Sequence, residues 1–226
     1  MSERSRLFVE GTDDKHAIKH LLRRHGVECP LADEVIPDTL PAEVPEIKPA
    51  GDKHQVLDAM ALAVQFATGH SVGFVVDADE AAANSWDAVR DRLSFLDPKP
   101  PPELPATGFI ADVPDFHVRV GVWLMPDNRT SGALEHFLKD LVDENDPLLT
   151  LAHDSTTAAR ERGATFPDVK YVKAVIHAWL SWQEEPGRPF GTAIAARYFN
   201  ADSETALSFL RWFDELFGTD AISSPA

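Results

Sequence analysis

Five carboxylates in two short stretches of the sequence could bind a metal ion together. Glu10, Asp13 and Asp14 lie in LFVEGTDDKH, and Asp77 and Asp79 lie in VVDADE. Like charges held about 4 Å apart repel by about 1 kcal/mol in water and by several kcal/mol in a less polar cleft. A bound divalent cation would relieve that repulsion, and carboxylate oxygens are ligands that suit Mg²⁺ or Mn²⁺. The residue types therefore indicate a magnesium or manganese site.

Two predicted strands would position these side chains. RLFVEG and SVGFVVD are short apolar segments that end in acid, and a helical pattern follows each of them. Strands as apolar as the second are typical of parallel sheets, in which ligands bind beyond the carboxyl ends of the strands. If the two strands are neighbours, Glu10, Asp77 and Asp79 converge, because residues two apart on a strand share a side.

Helix capping is the simpler alternative for some of these residues. An aspartate at a junction between a strand and a helix commonly caps the helix and complements its dipole. We favour capping for Asp13 and Glu80, and for Asp14 capping and metal binding both stay open. Three carboxylates in the right order on two strands favour a metal site over capping, and these are Glu10, Asp77 and Asp79.

The rest of the chain alternates strand and helix patterns, which predicts an α/β fold with a mostly parallel sheet flanked by helices. In the first half the predicted helices are residues 12–24, 52–69 and 85–96, the last capped by Asn84 or Ser85. Short extended segments are predicted at 34–37 and 43–50. A pair of adjacent strands, TGFIADV and FHVRVGVWLMPD, and the helix GALEHFLKDLV follow.

The final third of the chain is predicted to be helical. DVKYVKAVIHAWLSWQEE and DSETALSFLRWFDELFG are amphipathic, and PGRPFGTAIAARYFN connects them. The length of 226 residues favours a single domain. We divide it into a core of about residues 5–145 and a helical extension of about 146–220. We interpret Trp179, Trp182 and Trp212 as core or subunit-interface residues. The sequence therefore leaves open whether the protein forms a homo-oligomer.

The net charge restricts the binding partners. The chain has 21 basic and 37 acidic residues and a formal charge of -16, which argues against a broad electrostatic surface for nucleic acid. A nucleic acid would need bound metal ions or a local basic strip. Four residues of the first predicted helix could form that strip: Lys15, Lys19, Arg23 and Arg24. A solvated helix face is the commoner explanation of such residues, and it is also favoured over zinc binding for His16 and His20.

The sequence shows no pattern of export or membrane insertion. MSERSRLFVEG lacks a positive segment followed by a long apolar one, and no apolar run is long enough to span a bilayer. The single cysteine, Cys29, has no partner for an internal disulfide or a zinc knuckle. We therefore expect a cytoplasmic protein without membrane association.

The order of the acidic motifs resembles that of the TOPRIM domain, which pairs a glutamate after its first strand with a DxD motif after a later strand. Here these are Glu10 in VEGTDD and the aspartates of VVDADE, and the resemblance covers residues 7 to about 96. GVWLMPDNRTSGALEHFL, the tryptophan-rich helices and EEPGRPFGTAI are similar to a small family of stand-alone TOPRIM-related proteins. TOPRIM domains occur in topoisomerases, primases, recombination proteins and nucleases of the overcoming-lysogenization-defect family, which make or break phosphodiesters with divalent metals.

The nuclease branch of that family is the most similar in its motifs. It adds an aspartate four residues after the glutamate, a place that Asp14 holds, together with a later glutamate and a lysine. Glu135 in SGALEHF, and Lys173 or Lys170 in DVKYVKAV, are the candidates for the last two roles. The resemblance thus implies a Mg²⁺ or Mn²⁺ site with five ligands: Glu10, Asp14, Asp77, Asp79 and Glu135. It implies catalytic roles for Glu10 and Lys173.

The expected function is a metal-dependent phosphodiester hydrolase that acts on DNA or RNA. The alternative is a non-catalytic module that binds a nucleotide, a nucleic acid or a protein partner through the same crevice. Two other phosphate chemistries of α/β folds fit less well. A response-regulator receiver would have an acidic pair after its first strand, and a haloacid-dehalogenase-type phosphatase would have its DxD motif there, whereas this chain has VEG.

Overall fold

Five strands form one sheet in the computed structural model, which describes residues 4–31, 34–37 and 39–221. In chain order the strands are β1 (Arg6–Val9), β2 (Glu46–Pro49), β3 (Ser71–Asp77), β4 (Phe109–Val113) and β5 (Val118–Met125). Their order in the sheet is β2-β1-β3-β5-β4. All neighbours are parallel except β4, which pairs antiparallel with β5 at one edge. The prediction of an α/β fold with a mostly parallel sheet is confirmed.

Eight α-helices lie within the described ranges. They are α1 (Thr12–Arg24), α2 (Lys53–Gln65), α3 (Ala82–Arg92), α4 (Leu134–Lys139), α5 (Pro147–Glu161), α6 (Tyr171–Leu180), α7 (Phe190–Ala195) and α8 (Glu204–Phe217). A 3₁₀ turn at Asp168–Lys170 precedes α6. Among these described helices, none combines the length and the apolar character needed to cross a membrane.

The structure corrects several predicted boundaries. Residues 34–37 are not a strand, because the Glu34 carboxylate folds back to accept a hydrogen bond from the Leu31 amide. The helix α3 begins at Ala82, so that the predicted cap Ser85 lies inside the helix, where its hydroxyl donates to the carbonyl of Ala78. The predicted connection PGRPFGTAIAARYFN contains α7, and α5 was not predicted as a separate helix.

The helices cover the sheet on both faces. On one face α2 and α3 pack against Phe74 and Val76 of β3, and on the other α1 and the C-terminal helices pack against Val75 and Trp123. The helix α8 lies across β3 and β5, where Phe209 is 5.5 Å from Trp123 between ring centroids. The residues predicted as a helical extension therefore form much of one layer of the core. The prediction of one domain also included residues 1–3 and 222–226, which lie outside the described ranges.

Two paired glycines allow α8 to approach the sheet closely. Gly73 of β3 and Gly121 of β5 are partners in the strand register, and Leu216 of α8 lies against both. A Cβ atom on Gly121 would come within 2.5 Å of the Leu216 side chain, and one on Gly73 within 2.9 Å. Both contacts are too short for real carbon atoms, so that the close approach of α8 depends on the absence of these two side chains.

We predict that Gly121→Val destabilises the protein by about 1–3 kcal/mol through overpacking and that Leu216→Ala destabilises it by about 2–5 kcal/mol through a cavity. The double variant should lose less stability than the sum of the two single variants, since the alanine at position 216 makes room for the valine at position 121. Urea denaturation measures the three values. Leu151→Ala on α5, a side chain that is 47% exposed, is the control and should change stability by less than about 0.5 kcal/mol. Strict additivity would contradict this packing.

Candidate functional site

The acidic residues that follow β1 and β3 meet at one edge of the sheet. These two strands are parallel neighbours, with Phe8 opposite Phe74, so their carboxyl ends lie side by side. The backbone N–H of Asp77 donates to Oε1 of Glu10 at 2.8 Å. The predicted convergence of Glu10 with the DxD motif is therefore present in the structure.

Asp14 lies beside Glu10 in the first turn of α1. Its carboxylate is buried and accepts a hydrogen bond from the backbone N–H of Gly11, the N-cap residue, at 3.0 Å. The capping carboxylate is thus Asp14 rather than Asp13, which is exposed, and the helix begins at Thr12. Capping and proximity to the other carboxylates coexist at Asp14, because capping engages only one of its oxygens.

The second aspartate of the DxD motif sits in a tight turn that also holds α4 in place. Asp79 has a φ of +53°, a left-handed conformation that is uncommon for aspartate. Its backbone N–H and C=O both bond to Gly132, each at 2.8 Å. Since Gly132 lies two residues before the start of α4, this bridge places Glu135, in the first turn of α4, next to the acidic residues.

Glu135 and Lys173 form an ion pair at the side of this cluster. Their Oε1 and Nζ atoms are 2.7 Å apart, and the Glu135 side chain is 13% exposed. Lys173 also lies 4.0 Å from Asp13, and it belongs to α6. The structure thus brings the later glutamate and lysine to the acidic residues of the first half of the chain. The other candidate, Lys170, also lines the cleft described below, from the 3₁₀ turn.

Lys53 is a site residue that sequence reasoning missed. It is the first residue of α2, and its ammonium group donates to the Asp77 carbonyl at 2.8 Å, to Oδ2 of Asp79 at 2.5 Å and to Oγ of Ser85 at 2.7 Å. One signal in the sequence could have identified it. A lysine in the first turn of a helix opposes the helix dipole, so a nearby negative charge is expected.

Burial and mutual repulsion change the proton affinity of the central carboxylates. Burial, followed by the charges of Glu10, Asp14 and Asp79, raises the pKa of Asp77 to about 9. Burial likewise raises the pKa of Glu10 to about 7, and the charges of Asp14 and Asp79 add to the rise. The hydrogen bond from the backbone of Asp77 acts in the opposite direction and lowers this pKa. Burial is also the main cause that raises the pKa of Asp14 to about 6. The cluster therefore stores repulsion that a proton or another cation can relieve.

The ion pair with Lys173 has the opposite effect on Glu135. Burial alone would raise the pKa of Glu135, but the hydrogen bond and the positive charge of Lys173 lower it overall. For Lys173, burial is outweighed by the bond to Glu135 and by its charge, and the pKa is raised. This pair is consequently charged at neutral pH.

The donor chemistry of the site suits a hard divalent cation, although the side chains are turned toward protein partners. Oδ1 of Asp77 is buried, with no hydrogen-bond partner among the described residues. Within residues 4–31, 34–37 and 39–221, no group of three or more His, Cys, Asp or Glu side chains has the arrangement of a metal site. Asp79 points to Lys53 and Glu135 to Lys173. A ligand set for Mg²⁺ would require at least Asp79 to turn away from Lys53.

A cleft of about 1090 Å³ opens over these residues. The cluster forms its floor, and the beginnings of α2 and α3, the segment 131–136 and the turn 168–170 form its walls. Its volume lies just above the range of about 300–1,000 Å³ that is usual for ligand sites. The cleft therefore has room for a nucleotide or for a short segment of a polynucleotide.

The basic residues of α1 have protein partners. Lys19 binds Glu34 at 2.6 Å, Arg23 binds Glu28 at 2.9 Å, and Arg24 donates to a backbone carbonyl at the end of α7. The helix α1 also packs closely on α7, where Gly191 lies against the backbone of His16. Lys19 and Arg24 are half-buried, whereas Arg23 is exposed. Lys15 is half-buried and lies next to Asp14 in the chain. Nucleic-acid binding by Lys15, Lys19, Arg23 and Arg24 stays a prediction.

Two other groups of residues have structural roles. Oδ1 of Asn128 accepts the N–H of Leu124, and Oδ1 of Asp127 accepts three hydrogen bonds within residues 127–130, as expected for a turn. Trp179 and Trp212 are buried in the core, whereas Trp182 is 40% exposed. These residues are therefore not needed to explain the chemistry of the cleft.

One comparison with known proteins finds a match. A family model described as a protein of unknown function (DUF3226) matches residues 4–218, from before β1 to the end of α8. The comparisons with curated proteins and with solved structures give no match. The sheet, both helical layers and the acidic cleft all fall inside the matched range.

The raised pKa of Asp77 predicts that the metal-free protein becomes less stable as the pH rises. The folded state keeps a proton that the unfolded chain releases above about pH 4, so the stabilisation is complete below that pH and is lost by about pH 9. Asp77→Asn should remove this dependence, up to about 1.4 kcal/mol per pH unit. Urea denaturation in EDTA between pH 5 and 9 measures it. Asp115→Asn, at an exposed position, is the control, and equal slopes for Asp77→Asn and wild type would contradict the clustering.

Proposed function

The chain belongs to the DUF3226 family of proteins of unknown function, and we propose that it is a cytoplasmic, metal-dependent phosphodiester hydrolase of TOPRIM type that acts on DNA or RNA. The observation that carries the proposal is the meeting of Glu10 with Asp77 and Asp79 at the carboxyl ends of two neighbouring parallel strands. The position of Glu135 and Lys173 on the same cleft supports it.

Five carboxylates would supply oxygen ligands for Mg²⁺ or Mn²⁺: Glu10, Asp14, Asp77, Asp79 and Glu135. When bound, such a cation polarises a phosphoryl oxygen and lowers the pKa of a coordinated water. Oδ1 of Asp77, which is buried and has no partner in the described part of the chain, supports this assignment, because a buried carboxylate oxygen without a donor is costly unless a cation or a proton satisfies it.

Glu10 and Lys173 would take the catalytic roles. Glu10 lies at the floor of the cleft as a metal ligand or as the general base that accepts the proton of the attacking water, and a pKa near 7 suits a base at neutral pH. The Lys173 side chain is 36% exposed at the cleft wall, where its ammonium group would neutralise the charge that develops on the phosphate. Its pairing with Glu135 would hold it there.

A non-catalytic module that binds a nucleotide, a nucleic acid or a protein partner is the second candidate. Two observations favour it. Asp79 and Glu135 are already neutralised by lysines, and no metal-binding group of three such side chains is found in the described part of the chain. A cleft of this size could bind a ligand without turning it over.

The activity test uses single-stranded DNA, duplex DNA and RNA with Mn²⁺ or Mg²⁺. We expect cleavage of at least one substrate, its loss with EDTA, and a loss of at least about 100-fold in rate for Glu10→Gln, since general-base catalysis typically contributes that much or more. Asp112→Asn, on the edge strand β4, is the matched control and should keep the wild-type rate.

Calorimetry with Mn²⁺ separates the two candidate functions. Metal binding that disappears in Asp77→Ala/Asp79→Ala would support the hydrolase, together with cleavage. Tight binding of a nucleotide without turnover in any of these assays would favour the module and contradict the proposed hydrolase.

The role of the basic residues of α1 can be tested by the salt dependence of binding. If Lys19 and Arg23 contact phosphates, Lys19→Gln/Arg23→Gln should weaken nucleic-acid binding and make the log-log salt slope shallower by about one for each lost contact. Mn²⁺ affinity should not change. Fluorescence anisotropy at several salt concentrations measures the slope. An unchanged slope would assign these residues only to their intramolecular partners, Glu34 and Glu28.

A further inference from the structure

Lys53 occupies a position that is unfavourable for a lysine by local rules. It is the first residue of α2, directly after the N-cap Asp52, and no acidic residue lies in the first turn of that helix. A cation there opposes the positive end of the helix dipole. Its stabilisation must therefore come from elsewhere in the fold, and the acidic cluster supplies it.

The ammonium group of Lys53 has no remaining donor. An ammonium group carries three N–H donors, and the three acceptors of Nζ are the carbonyl of Asp77, the carboxylate of Asp79 and the hydroxyl of Ser85. Ser85 is itself buried and donates to the carbonyl of Ala78. Lys53 is therefore bonded to both aspartates of the DxD motif and to Ser85 of α3.

Asp79 cannot serve Lys53 and a metal ion equally well. Oδ2 of Asp79 is 2.5 Å from Nζ, and the carboxylate is 56% exposed in the cleft. A divalent cation on either oxygen of this carboxylate would lie within a few ångströms of the ammonium group, and two cations at that distance repel strongly. Retaining Lys53 on Asp79 thus lowers the affinity for a metal, whichever oxygen the metal takes.

We propose that Lys53 is an internal cation that competes with the divalent metal for Asp79, so that metal binding at this carboxylate is an exchange of one cation for another. The inference rests on the proposed metal-dependent function and adds to it a residue that sets the metal affinity. It also gives a reason why the clustered carboxylates lack the arrangement of a metal site among the described residues: Oδ2 of Asp79 is bonded to Lys53.

The test measures Mn²⁺ binding by calorimetry on the full-length protein and on Lys53→Met. The variant loses the competing charge but keeps most of the side-chain volume, so it should bind Mn²⁺ at least about tenfold more tightly, which corresponds to about 1.4 kcal/mol. Without metal its melting temperature should be lower than that of the wild type, because Asp79 has lost its partner. Mn²⁺ should raise the melting temperature of the variant by more than that of the wild type.

Three further variants make the result specific. Lys53→Arg keeps the charge and should bind Mn²⁺ about as tightly as the wild type. Lys99→Met removes an exposed lysine of the proline-rich connection and should leave the affinity unchanged, which controls for net charge. If Lys53→Met does not fold, Ser85→Ala carries the test, since it removes one acceptor of Nζ and should tighten Mn²⁺ binding by a smaller factor.

The outcomes separate this inference from the proposed function. Mn²⁺ binding by the wild type with equal or weaker binding by Lys53→Met overturns the competition and leaves the metal-dependent function standing. Binding by Lys53→Met alone supports the competition and overturns metal dependence in the natural protein. No binding by the wild type, Lys53→Met or Ser85→Ala overturns both.

Discussion

Repulsion among carboxylates at the ends of β1 and β3 is the interaction on which the other features of the cleft depend. Parallel neighbouring strands bring Glu10 and Asp77 so close that the backbone of one binds the side chain of the other. Such an arrangement is unstable unless something compensates the charge. The fold provides two lysines from two different helices, Lys53 and Lys173, and leaves the buried Oδ1 of Asp77 without a hydrogen-bond partner among the described residues.

The two lysines divide the cleft into unequal halves. Lys173 and Glu135 form an ion pair in which each partner favours the charged form of the other. On this side of the cleft the negative charge of Glu135 is therefore balanced by a lysine. Lys53 forms an ion pair with the exposed Asp79. The side chains of Glu10 and Asp77 form no ion pair within the described ranges. Since burial and repulsion raise the pKa of Asp77 to about 9, the floor of the cleft holds a proton at neutral pH, and a divalent cation from solution would displace it.

Much of this arrangement could be predicted because apolar runs in the sequence show where the strands lie and where they end. The apolar run before Asp77 and the short strand before Glu10 indicated the sheet edge and the convergence there. Lys53 could not be found in this way, because its contacts depend on where the crossover through β2 places the start of α2. Pairing of Lys19 with Glu34 likewise joins residues far apart in the chain, so a strip that appeared basic in the sequence is largely paired. The fold class was predictable, whereas the close packing of α8 was not, since it depends on two glycines facing one leucine.

The contact of Leu216 with Gly73 and Gly121 has a consequence for the order in which the chain can be assembled during synthesis. The strand that carries Asp77 is complete after about a third of the chain, yet the part of its face at Gly73 stays uncovered until α8 has left the ribosome. Until then Trp123 would lack its ring contacts with Phe209 and Trp212 of α8. The acidic edge and the final residues of α8 are therefore linked through strand β3, so we expect the acidic edge to become rigid only after α8 has packed.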